Sequence, residues 1–158
     1  MKKTSLFLLI VLMNAIFLIA QVSEDFYPPS FNYDNLNDDY EVVELLTPDI
    51  ELLKKEDIER KKNGEFYRVG VAIQANLNFN NSGSWTDVRN GKIWRLKIIA
   101  QGAQALALDI DNYFLPDGAS LFIYNEERNQ LLGAYTDINN MASKMFASEI
   151  IYGDELII

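Results

Sequence analysis

Asp109 and Asp111 stand two residues apart in an alternating stretch, and Asp117 follows in the next turn. Carboxylates at that spacing project from one face of a strand, where they serve as general acid and base or gather oxygen ligands for Ca²⁺. The plainer reading is a solvated sheet face running into an acidic turn, since nothing in the flanking residues marks a substrate pocket. Asp109, Asp111 and Asp117 are therefore weak calcium candidates, with no catalytic role assigned. Trp85 and Trp94 offer aromatic faces of the kind that stack on sugars. Trp94 shares a face with Leu96 and Ile98 and reads as core, whereas Trp85, in a polar loop of Asn, Ser and Gly, is the candidate ligand contact. Ser82-Gly83-Ser84 lacks the flanking glycines of a nucleophile elbow. The 158 residues include no His and no Cys. That excludes a Ser-His-Asp triad, a Cys-His dyad, zinc-finger spacing and a disulfide framework. Gly64, Gly70 and Gly91 have no phosphate-loop spacing.

The elements that would carry these residues are short. Tyr67, Val69, Val71 and Ile73 alternate with Arg68, Gly70, Ala72 and Gln74, which predicts a half-buried strand. Ile93–Ala100 predicts a second strand, with Trp94, Leu96 and Ile98 on one face and Arg95 and Lys97 on the other. Leu106, Leu108 and Ile110 give the cleanest alternation. Pro116-Asp117-Gly118 is a turn, Pro presetting φ and Gly accepting a positive one. Strands follow at Ser120–Tyr124, Leu131–Thr136, Met145–Ile151 and Glu155–Ile158, with polar turns at Asn125–Gln130 and Asp137–Asn140. Glu126-Glu127-Arg128 reads as a solvated hairpin turn. This spacing predicts a mainly β chain, an antiparallel β-sandwich of jelly-roll-like form with one short N-terminal helix.

That helix follows a short strand at Tyr40–Leu46. Thr47 is its expected cap, Pro48 its first residue and Asp49 the complement of its dipole. Glu51/Lys55, Glu56/Arg60 and Asp57/Lys61 supply i,i+4 pairs, and Asn63-Gly64 a stop. Ile50, Leu53 and Ile58 give a narrow apolar stripe, so the helix is expected on the outside of the domain. Residues 40–64 form a strand-and-helix arm ahead of a sandwich domain at 65–158. The chain stops at Leu156-Ile157-Ile158, inside what reads as a strand. The ending fits either a strand buried between neighbours or a chain that once continued; the second reading is favoured, making the sandwich domain truncated at its C-terminus.

Residues 1–20 read as a signal peptide: Lys2 and Lys3, an apolar run over Leu6–Ile19, then Ala20 and Gln21 at the cleavage point. The run is shorter than the roughly 20 apolar residues of a membrane anchor. Cleavage there lowers Lys+Arg from 14 to 12 against 23 Asp+Glu, a formal charge of −11 in place of −9. A surface that acidic repels nucleic acid and anionic membranes, so the expected product is a secreted, non-membrane protein. Residues 21–39, with Pro28-Pro29 and an Asn/Asp-rich stretch, read as a poorly ordered leader. Its Phe26, Tyr27, Phe31 and Tyr33 are material for docking on the domain surface.

Several ordered blocks carry a resemblance. Asn81-Ser82-Gly83-Ser84-Trp85 and Gly91-Lys92-Ile93-Trp94-Arg95-Leu96 are followed by Asp109-Ile110-Asp111-Asn112-Tyr113-Phe114-Leu115-Pro116-Asp117-Gly118-Ala119 and Leu121-Phe122-Ile123-Tyr124-Asn125. Phe146-Ala147-Ser148-Glu149 and Gly153-Asp154-Glu155 complete the series, with Pro48-Asp49-Ile50-Glu51 and Tyr67-Arg68-Val69-Gly70 upstream. Across roughly residues 41–158 the chain resembles the non-catalytic N-terminal region of secreted bacterial trypsin-like serine endopeptidases of the lysyl-endopeptidase type. The resemblance implies a β-rich pro- or accessory region that precedes a linker and a protease domain. Every catalytic position of that family lies outside this chain, so no catalytic residue is carried over and the chain is read as a non-enzyme without a cofactor. Its expected partner is a protease domain. The alternative is a secreted module binding carbohydrate or cell-surface polysaccharide through Trp85.

Overall fold

The computed structural model describes residues 27–33, 36 and 39–158. The expected signal segment and its cleavage residues, Ala20 and Gln21, lie outside them. Mainly sheet, with one α-helix among the described residues, the chain runs β1 (Val42–Glu44), α1 (Ile50–Lys62), β2 (Ser84–Val88), β3 (Gly91–Arg95), β4 (Lys97–Ile99), β5 (Ala105–Leu106), β6 (Asp109–Ile110), β7 (Leu121–Tyr124), β8 (Leu131–Tyr135), β9 (Phe146–Ala147), β10 (Ile151–Tyr152) and β11 (Glu155–Ile157). Five strands form one sheet in the order β1-β4-β11-β7-β8, and three two-stranded ribbons pair β2 with β3, β5 with β10 and β6 with β9. Every pairing is antiparallel except β1 with β4.

The C-terminal strand is the centre of the sheet. β11 pairs with β4 on one side and β7 on the other, and Ile158 extends the ladder by exchanging backbone hydrogen bonds with Leu96. Leu156 and Ile157 are 1% and 2% exposed. The apolar residues Leu156 and Ile157 thus belong to a strand buried between neighbours. Alternation sends the two side chains to opposite faces. Leu156 joins Leu96, Ile98 and Ile123 in one core cluster, and Ile157 joins Phe122, Tyr124 and Ala134 in another. Each such burial contributes about 1.5–3 kcal/mol.

Both faces are covered, by different material. Leu106, Leu108 and Ile110 of the β5–β6 stretch pack on the first cluster. That stretch is two strands instead of one. At its break the Leu108 N–H donates to Ser148 Oγ at 2.9 Å, and the Ser148 N–H donates back to the Leu108 carbonyl at 2.8 Å. The second cluster is covered by Phe31 and Tyr40. Phe31 meets Tyr124 edge-on at 4.9 Å and carries the Arg128 guanidinium over its ring. Docking by an aromatic of the leader is therefore seen at Phe31, while Tyr27 stays exposed.

The helix arm corrects several sequence expectations. Its cap is Asp49, whose carboxylate accepts from the N–H groups of Glu51 and Leu52 at 2.9 and 3.1 Å. A carboxylate takes two free amides and complements the dipole, which the hydroxyl of Thr47 does less well. The ion pairs formed are Glu51–Lys54 and Glu59–Lys62 at i,i+3, in place of the i,i+4 set. Glu56 and Asp57 turn instead to Arg68 beyond the helix, at 2.7 and 3.0 Å. No residue of α1 is buried, so its outside position stands.

The strand expected at Tyr67–Ile73 does not form. Residues 65–83 contain no sheet pairing, and Phe66, Tyr67 and Val69 are 93%, 87% and 97% exposed. Alternation describes a fit to a pleated surface, which exists only where a neighbouring strand supplies it. Here the sheet ends at β1 and β8, and Arg68 ties the segment to the helix instead. The chain rejoins the body at Leu77, which packs on the first cluster.

Candidate functional site

The three aspartates are not gathered. Asp109 opens β6 opposite Ala147, and Asp111 and Asp117 sit exposed in the turns on either side of Tyr113–Leu115. Among the described residues no group of three or more His, Cys, Asp or Glu is placed to hold a metal ion. The turn carrying Asp117 has the expected geometry, with Gly118 at φ +78° and the Ala119 N–H donating to the Pro116 carbonyl. It is a turn first and an acidic site second.

Trp85 lies on a strand, not in a loop. It occupies β2 directly opposite Trp94 of β3 and is 55% exposed. Trp94 is half-buried against the first cluster, and its indole N–H donates to the Ser82 carbonyl at 2.9 Å. Its ring lies over Gly83, where φ is +76° and an added Cβ would overlap the indole. Ser82 is buried, and its Oγ donates to the Asn78 carbonyl and accepts from the Asn78 N–H. Its hydroxyl is thereby occupied in holding a loop. Phe79, which the sequence did not single out, lies 4.8 Å from Trp94 and 6.1 Å from Trp85 between ring centroids.

A second feature the sequence missed is charged. Lys97 reaches both Glu126 at 2.5 Å and Glu155 at 2.8 Å. Burial works to lower the Lys97 pKa, but the hydrogen bonds to the two carboxylates together outweigh it and hold the ammonium above its ordinary range. Glu126 is correspondingly held low, chiefly by its hydrogen bond to Lys97. Glu126 and Glu155 edge a shallow polar groove of about 280 Å³, lined also by Asn125, Glu127, Gln130, Tyr152 and Asp154 among others. It is open and mostly polar, with little apolar wall for a bound molecule. Arg95, placed on the solvent side by alternation, is buried with its guanidinium 4.5 Å over the Tyr40 ring. Lys97 and Glu126 are too far apart in sequence for any local pattern to pair them.

The third feature is the segment Phe66–Val71, which lies in neither helix nor strand. Arg68 fastens it to Glu56 and Asp57, Arg60 pairs with Glu65 at 3.2 Å, and Arg60 also donates to the Phe66 carbonyl. Its polar side chain is thus tied down while its apolar ones face outward.

No protein-family model matches the chain, and no solved structure matches it. Among the described residues no helix is long and apolar enough to cross a membrane.

Proposed function

We propose that this chain is a secreted, non-catalytic β-sandwich domain of the pro- or accessory type that precedes trypsin-like endopeptidases, and that it acts by presenting a surface to a protease domain. The five-stranded sheet and the β5–β10 and β6–β9 ribbons would be the two layers of the sandwich, in a jelly-roll-like arrangement, enclosing the cluster around Leu96, Ile123 and Leu156. The observation that carries the reading is the exposure of Phe66, Tyr67, Val69 and Val71 on a backbone with no sheet partner among the described residues. An extended apolar segment with unpaired amides is the recognition element of strand addition to another protein's sheet edge. Covalently attached, the domain would act at high effective concentration.

The test is addition in trans. At micromolar concentration the purified chain slows hydrolysis of a lysyl peptide substrate by a lysyl endopeptidase, or raises the refolding yield of that enzyme. Val69→Asp removes the effect while leaving the melting temperature unchanged. Absence of both effects in the parent chain overturns the proposal.

A further inference from the structure

A separate site stands on other residues and does not depend on a protease partner. Across the β2–β3 ribbon Trp85 faces Trp94 and Asp87 faces Lys92, so these four side chains share one face. Phe79 leans against both indoles. The Trp85 indole N–H donates to the Phe79 carbonyl at 3.4 Å, and that of Trp94 is used by Ser82. With both indole donors used internally, the surface turned to solvent is ring: Phe79 is 52% and Trp85 55% exposed.

The loop beneath is locked in place. The Asn78 N–H donates to Asn81 Oδ1, the Asn80 N–H to Asn78 Oδ1, and the Asn81 side-chain amide to the Asn76 carbonyl. Rings held this way lose little freedom when a ligand settles on them. The loop that carries Phe79 also carries the exposed Asn76 and Asn80, and the same face of the ribbon carries the Asp87–Lys92 pair at 3.3 Å, which neutralises itself.

Flat apolar rings bordered by neutral amides match one ligand chemistry. A pyranose turns a face of weakly positive C–H groups toward a ring's negative π cloud. Its rim of hydroxyls gives and accepts hydrogen bonds, as an Asn amide does. Polyanions are disfavoured by a protein of net charge −9, and an all-apolar ligand would leave the amide border dry and unpaired.

We propose that the Phe79–Trp85 face binds a neutral polysaccharide chain. The test is native affinity electrophoresis of the whole chain through gels containing laminarin, hydroxyethyl cellulose, xylan or galactomannan. The expected result is retardation in at least one gel, with affinity reduced at least tenfold in Trp85→Ala and severalfold in Phe79→Ala. Phe114→Ala, which removes an exposed aromatic elsewhere, keeps the parent mobility shift. A fluorescence titration of the parent chain with the retarding polysaccharide needs no variant and shows a shift in tryptophan emission. Unretarded migration in all four gels, equal retardation of Trp85→Ala and parent, or unchanged emission overturns the proposal.

Discussion

β11 and the segment Phe66–Val71 have nearly the same sequence character and opposite fates. Each is short and apolar and lies beside charged residues. Leu156 and Ile157 are 1% and 2% exposed between two partner strands, while Tyr67 and Val69 are 87% and 97% exposed with none. The contrast shows that a strand pattern states a capacity and that pairing decides its use. Where the fold itself provides the partners, the pattern becomes core. Without a partner among the described residues, it stays on the surface.

Breaking the buried side of this contrast has the largest expected effect. Leu156→Ala leaves a cavity at the centre of the sheet and lowers stability by about 2–5 kcal/mol in urea unfolding. Gly83→Ala comes next, since a positive φ and the overlying Trp94 ring both oppose a Cβ. The strain alone is about 1–3 kcal/mol, and the same denaturation curve measures it.

Tyr113 sharpens the comparison through pH. It stacks on Phe146 at 4.5 Å, its hydroxyl has no partner among the described residues, and burial pushes its phenol up to about 12. A pKa raised on folding contributes stability that is complete below the unfolded value of about 10 and is lost as pH climbs toward 12. Unfolding measured from pH 9 to 12 therefore shows a decline that is smaller in Tyr113→Phe. Near neutral pH the same variant is unchanged or up to about 1 kcal/mol more stable, because it removes an unpaired buried hydroxyl. Glu126 has the opposite sign. Its pKa is lowered on folding, so its contribution is present above the ordinary carboxylate pKa of 4.5 and fades as acid protonates it. The Glu126→Gln variant flattens the acid limb of the pH–stability curve.

The exposed side gives the smallest effects on stability. Val69→Ala shifts unfolding by no more than about 0.5 kcal/mol. Among the described residues Asp109, Asp111 and Asp117 do not form a metal-holding group, so millimolar Ca²⁺ is expected to leave the melting temperature unchanged; a clear rise would favour the calcium reading.

The sequence was informative wherever local rules and burial agree. Leu121–Tyr124, Leu131–Tyr135 and Glu155–Ile157 were legible because short apolar runs, flanking turn residues and core position coincide, and the helix because its stop and acidic start are local signals. Illegible features depended on distant chain. Arg95 looked solvent-facing until Tyr40 covered it. The Lys97–Glu126–Glu155 cluster joins three strands' ends, and Phe79 gained meaning only beside two tryptophans brought together by the β2–β3 register. The 67–73 stretch failed for the converse reason: its pattern was sound, and its partner strand is absent from the sheet.

Hydrogen exchange tests the central contrast most directly, followed residue by residue in the free chain and with a lysyl endopeptidase domain added. The amides of Phe66–Val71 should exchange at near-unprotected rates alone and slow on addition of the enzyme, while those of Ile98 and Leu156 stay protected throughout. Strong protection of Phe66–Val71 in the free chain, or none gained with the enzyme present, contradicts the account.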